Sequence, residues 1–180
     1  MTLTDIEYKT FIKTHLDLLF YVGQQSNIIS DDINIHNFIK LGFSIKLNCR
    51  DILLDNRKLL DDYIATNNDL LTEEQIAILG GFKRTISSDF VIFKCLTNNA
   101  IFIDTKNNRF YAVKALGDRF THFFDSFPVL INTTLLPFKD KIIYDGFIKS
   151  SGVQFGPGMK STMQEDYKQV KKSNQILTTL

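Results

Sequence analysis

Tryptophan is absent from this chain, histidine and proline occur three times each, and cysteine occurs twice. Few side chains that act as nucleophile, base or soft metal ligand are therefore present, and each stands alone. Cys49 and Cys95 sit singly within apolar patterns with no Cys-x-x-Cys spacing, so they are read as buried reduced thiols rather than a disulfide or a metal site. No apolar run approaches the roughly 20 residues of a membrane-spanning helix. The first ten residues, MTLTDIEYKT, carry early acidic groups and no basic-then-apolar run. That excludes a signal-peptide reading and makes the cytoplasm the expected location, with no membrane partner. No motif calls for a cofactor or a resident metal.

Charge of one sign is also lacking, since the net charge is +1. Residues 1–90 carry nine basic and thirteen acidic side chains, and residues 91–180 carry twelve and seven. The second half is mildly basic, which suits an anionic partner but falls short of the clustered Lys/Arg signature of a nucleic-acid binder.

What is present is an ordinary folded-protein composition, 44% hydrophobic and 23% charged over 180 residues, enough to bury a core. Sixteen phenylalanines alongside many Asn, Ile and Lys have the look of AT-rich coding.

Residues 1–89 read as helical. Thr4-Asp5-Ile6-Glu7 has the form of a capping box. Tyr8, Phe11, Ile12, His15, Leu19 and Val22 follow at helical spacing until Gly23. His15 lies within that stripe and is read as packed. A short helix is expected near residues 37–41, and a long one from about Ser44 to Thr66, with Cys49, Ile52, Leu53, Leu60 and Tyr63 inward. Asp51 and Asp55 are four apart on its other side and form a solvated acidic face. Thr72 and Gln75 make a second capping box, closed by Gly80-Gly81.

From Phe90 the period becomes two. Strands are expected over 90–96, 100–104, 109–116, 129–138 and 141–149, with Val153–Phe155 a candidate last strand and RFTHFFDSF (119–127) a helical turn. Asp145-Gly146 is read as a strand turn or bulge. A final helix is expected near Ser161, capped by Ser161/Gln164 and Thr162/Glu165, with Lys168, Lys171 and Lys172 complementing its dipole. The expected fold is α+β: a helical N-terminal half packed on a small antiparallel sheet or barrel-like meander, with a C-terminal helix. The division is 1–89 helical and 90–180 β plus helix, within one compact domain.

The order of a helical half, then IFIDTKNNRFYAVKALGD, LLPFKDKIIYDG and FGPGMKS before the last helix, resembles a family of small uncharacterised prokaryotic proteins. The resemblance is sharpest over 136–146 and 155–160. It implies a compact intracellular domain, and it carries over no catalytic or binding residue.

Three local patterns invite chemistry. Gly156-Pro157-Gly158-Met159-Lys160-Ser161-Thr162 leads a glycine-rich turn into a helix N-terminus, a candidate anion site at Gly156, Gly158, Lys160, Ser161 and Thr162. The spacing fails the phosphate-loop pattern, and a hinge with Gly158 at positive φ explains it. Asp104-Thr105-Lys106 with Asp89 upstream has the loose form of a metal-dependent nuclease site, but a hairpin loop explains it. His122 has Asp118 and Asp125 within helical reach. The surrounding Phe120, Phe123, Phe124 and Phe127 point to packing, with Phe124 and Phe127 expected to be buried.

The reading is a non-enzymatic binding or interaction module for a protein partner or an anionic ligand. The alternatives are a protein acting on or binding a phosphate-bearing ligand at 156–162, or a nucleic-acid-binding sheet that needs exposed aromatics. Whether Lys160, Asp104, Asp145 and His122 meet in one pocket is the deciding observation.

Overall fold

Apolar residues at helical spacing bury one face of each helix in the first half of the chain, as the computed structural model, which describes residues 2–180, makes explicit. The helices are α1 (Asp5–Gln25), α2 (Ile35–Lys40), α3 (Phe43–Asp55), α4 (Lys58–Asn67) and α5 (Glu73–Gly81). The long helix expected over 44–66 is two helices. Asn56 leaves the helical region at φ −126° and ψ 83°, and its amide still closes the last turn on the Ile52 carbonyl. Gly23 lies inside α1 rather than ending it. Thr72 and Gln75 form the expected capping box, and the Asn34 side chain caps α2.

The chain divides into two compact units, Ile6–Lys83 and the residues up to Asp5 together with Arg84–Leu180. In the helical unit, Phe11, Leu18, Leu19, Val22, Phe38, Cys49, Leu53 and Leu60 are fully buried. His15 is packed, as its place in the stripe implied: its ring centre lies 4.7 Å from that of Phe82 and 5.6 Å from that of Phe11.

The second unit is built on β1 (Ile86–Cys95), β2 (Ala100–Asp104), β3 (Phe110–Lys114), β4 (Val129–Phe138), β5 (Lys141–Tyr144) and β6 (Lys149–Ser150), followed by α6 (Pro157–Lys172). β1 pairs antiparallel with both β2 and β4, β2 with β3, and β4 with β5. A short parallel ladder of β3 with β5, Val113 to Ile142 and Lys114 to Ile143, closes the ring. This is a five-stranded Greek-key barrel with the connectivity of the OB type. The fold is α+β as expected; the parallel closure is the departure from a plain meander. The strand expected over 141–149 ends at Tyr144. Gly146, at φ 94°, turns the chain toward β6, which pairs with β4. Val153–Phe155 is not a strand.

Inward residues fill the barrel with rings. Phe90 meets Phe102 and Tyr111 at 6.0 Å, and Phe120 meets Phe102 at 5.2 Å and Tyr144 at 5.3 Å. Phe120 therefore plugs the barrel. Phe124 and Phe127, expected to be buried, are only half-buried, and Phe123 is 49% exposed. The short 3-10 turn Phe120–His122 turns a single phenylalanine inward.

Among the described residues no helix is long and apolar enough to cross a membrane.

Candidate ligand site beneath the C-terminal helix

The outer face of β1–β3 is as apolar as the interior, and α6 covers it. Val91 and Phe93 from β1, Ile101 and Ile103 from β2 and Phe110 from β3 form one cluster with Tyr167. Leu130, Phe155, Met163, Val170 and Ile176 pack against it. On α6, Met163, Tyr167 and Val170 recur at i, i+4 and i+7, the stripe a helix lays on a sheet.

A bulge re-aims one side chain onto this layer. Val91 pairs with Ile103 and Lys94 with Ile101, and the register shifts between Ile92 and Lys94. The extra residue, Phe93, leaves two consecutive side chains facing out. Phe93 packs against Tyr167 at 5.7 Å. The Lys94 ammonium lies 3.7 Å from the Tyr167 ring centre and donates to Gln164 Oε1 at 3.3 Å.

Contact between α6 and the sheet is incomplete on both flanks. On one flank a cleft of about 370 Å³ opens between β1–β4 and the segment 153–163. Its walls include Ile103, Phe110, Leu130, Phe155, Met159 and Met163, with Thr105, Asn108 and Asp166 at the rim. Val153 and Met159 are 47% and 56% exposed. On the other flank a pocket of about 340 Å³ lies between Leu96, Ile101, Ala112, Tyr167, Lys171 and the tail at Ile176. The tail is held there by Leu177, whose carbonyl accepts from the Ala112 amide and whose amide donates to the Phe110 carbonyl, each at 2.8 Å.

The residues singled out from sequence lie in separate surroundings. α6 begins at Pro157, with Gly156 as N-cap and no side-chain cap, so it starts four residues before the expected Ser161. Lys160, Ser161 and Thr162 lie inside the helix, and the Thr162 hydroxyl donates back to the Gly158 carbonyl. Neither of the two expected capping boxes forms. Gly158 is helical, and positive φ among glycines occurs at Gly146 and Gly152 instead. Lys160 lines a polar pocket of about 400 Å³ with Ser126, Pro128, Gly152 and Gln154.

Asp104 is buried and accepts from the Ser88 hydroxyl at 2.8 Å and the Lys106 amide at 3.0 Å. Asp89 binds the Asn132 amide group at 2.8 Å. Ser88 and Asp89 are adjacent in β1, so their side chains, and with them the two carboxylates, take opposite faces of the strand. Burial, and then the Asp104 carboxylate, push the Tyr111 hydroxyl above its usual pKa. Asp145 is buried and accepts from the Phe147 amide at 3.0 Å. His122 is exposed, with Nδ1 3.5 Å from Asp118 Oδ1. In the helical unit, Asp51 pairs with the Arg50 guanidinium at 2.9 Å. Cys49 is fully buried and Cys95 partly so, and desolvation pushes both thiols up to about 11.

The two flanks of α6 were missed from sequence. The Met159/Met163 spacing and the out-of-phase Phe93-Lys94 pair were the signals available.

Comparison of the chain with protein-family models, curated proteins and solved structures finds no match.

Proposed function

We propose that the barrel unit is a non-enzymatic binding module for a small, largely apolar molecule held in the cleft between the outer face of β1–β4 and residues 153–163. The observation that carries this reading is an open cleft of about 370 Å³ walled by aliphatic, aromatic and two methionine side chains. Small-ligand sites begin at roughly 300 Å³, and thioethers adapt to varied shapes. The polar rim supplies a carboxylate, Asp166, and a carboxamide, Asn108. The ligand end that faces them is a hydrogen-bond donor or a cation.

The chain has three methionines, two of them in this cleft, so a methyl-labelled methionine spectrum reads the site directly. Titration with phenethylamine and its anionic counterpart phenylacetate is expected to move the Met159 and Met163 signals, with the amine binding more tightly. Unmoved signals with both probes at millimolar concentration would overturn the reading, and preference for phenylacetate would overturn the role of Asp166.

The alternative, a phosphate-bearing ligand at Gly156–Thr162, retains one supporting observation, the polar pocket beside Lys160. Phosphate titration watched at residues 156–162 tests it. A nucleic-acid-binding sheet finds less support, because Phe93 and Phe110 lie beneath Tyr167 and offer bases no stacking surface.

A further inference from the structure

We propose that the opposite flank of α6 is an anion site in which Lys94, Lys168 and Lys171 hold the phosphate of a small phosphate monoester and the adjoining pocket holds its body. Gln164, Tyr167, Lys168 and Lys171 recur at i, i+3, i+4 and i+7, which places them on one face of α6. The bulge in β1 turns Lys94 onto that face, where its ammonium reaches both Tyr167 and Gln164. Without the bulge, strand alternation would point Lys94 away from the helix.

Like charges are thereby gathered rather than dispersed. Among the described residues no ion pair involves Lys94, Lys168 or Lys171. Burial, then Lys171 and Lys168, depress the Lys94 pKa. Lysines three apart on a helix already repel, and a third ammonium adds to the repulsion. A bound dianion removes it. Three ammonium groups present up to nine N–H donors to a phosphate, the group for which charge-assisted bonds are strong.

The pocket of about 340 Å³ beside Lys171 has an apolar floor of Leu96, Ile101, Ala112 and Ile176. Asn99 lines it too, with a buried Oδ1 that has no hydrogen-bond partner. Buried acceptors are nearly always satisfied, so a ligand donor that turns the Asn99 carboxamide toward the pocket gives its oxygen the partner it lacks. A phosphate monoester with a flat, donor-bearing body meets all three features. This site is independent of the apolar cleft, since it uses the other edge of α6.

The test is amide and lysine-side-chain NMR titration of the full chain with AMP, hexyl phosphate and inorganic phosphate. AMP is expected to shift Lys94, Lys168, Lys171 and Asn99, and to bind more tightly than hexyl phosphate, which lacks a donor for Asn99. Inorganic phosphate is expected to bind about tenfold more weakly than AMP, a difference of about 1.4 kcal/mol. Lys171→Gln and Lys94→Met are each expected to weaken AMP by about tenfold while keeping the folded spectrum. Lys160→Gln should leave AMP binding unchanged. Shifts confined to residues 156–162, loss of binding in Lys160→Gln alone, or no response to AMP at millimolar concentration would overturn the proposal. So would an oligothymidylate that binds while AMP does not. The methionine signals of the apolar cleft should not move with AMP, so the two sites fail or succeed separately.

Discussion

The Lys94 ammonium lies 3.7 Å from the centre of the Tyr167 ring, a contact that joins the bulged end of β1 to the middle of α6. Tyr167 is only 6% exposed and also meets Phe93 and Phe110. Its ring thus serves as core on one side and as a cation seat on the other. Tyr167→Ala is expected to cost about 3–5 kcal/mol, as for truncating other large core aromatics. Lys94→Met should cost less than about 1 kcal/mol, the size of a half-exposed cation–π contact. Urea denaturation of the two single variants and the double variant measures the coupling. A coupling indistinguishable from zero would show that the cation adds nothing to the packing.

Asp104 is expected to be structural. Asp104→Ala strands the buried Ser88 hydroxyl, so a loss of about 1–3 kcal/mol is expected, while water can replace the lost partner of the exposed Lys106 amide. Asp89→Ala, at an exposed position, should cost under about 0.5 kcal/mol. Equal losses would contradict the opposite-face arrangement. A magnesium-dependent rise in melting temperature that both substitutions abolish would revive the metal reading.

Phe120, rather than Phe124 or Phe127, should carry the cost of phenylalanine truncation in the 119–127 segment. Phe120→Ala removes a fully buried ring in contact with Phe102 and Tyr144 and should cost about 3–5 kcal/mol. The same change at Phe124 should cost less than half as much, since part of its area already faces water. The denaturation midpoints of the two variants decide the order.

Both thiols are expected to be slow nucleophiles. With folded-state values pushed from an ordinary 9.0 to about 11, about one thiol in a thousand is thiolate at pH 8. Iodoacetamide should label the folded chain far more slowly than the urea-unfolded chain. The raised values also fix a direction for stability. The contribution is fully present below the unfolded value near 9, and it is lost as pH rises through about 11. A melting temperature that rises over that window in wild type relative to a Cys49→Ala, Cys95→Ala chain would contradict the burial.

How much was legible in the sequence depends on how locally each feature is encoded. β2 and β4 match the expected bounds, 100–104 and 129–138, because alternation and flanking turn residues specify a strand from within. The break at Asn56 was not legible, since apolar spacing continues from Cys49 to Tyr63 as though one helix ran through. The bulge adds a residue whose effect depends on the register of β2, which no local pattern contains. Lys168 and Lys171 were legible only as residues suited to a helix C-terminus. That Lys94, some seventy residues earlier in the chain, reaches Tyr167 and Gln164 on the same helix face is a product of the fold. Pro157 between two glycines suggests a hinge, although proline is equally at home in the first turn of a helix.

The start of α6 at Pro157 predicts opposite signs at two glycines. Gly158 has ordinary helical backbone, and a Cβ there would meet nothing within 4 Å. Gly152 also has open space but sits at φ +69°. Gly158→Ala restricts the unfolded chain and favours the helix, so it should stabilise by about 0.4–1 kcal/mol. Gly152→Ala must hold a left-handed conformation that an L side chain resists, and it should destabilise by about 1 kcal/mol or more. Because neither added methyl group touches a neighbour, packing cancels from the comparison and the backbone term alone sets the sign. Thermal denaturation of the two variants reads it directly. A destabilised Gly158→Ala would place the start of α6 after Gly158 and restore the hinge. A neutral Gly152→Ala would mean that the 151–156 segment relaxes without cost, and that the wall it gives the apolar cleft through Val153 and Phe155 is adjustable.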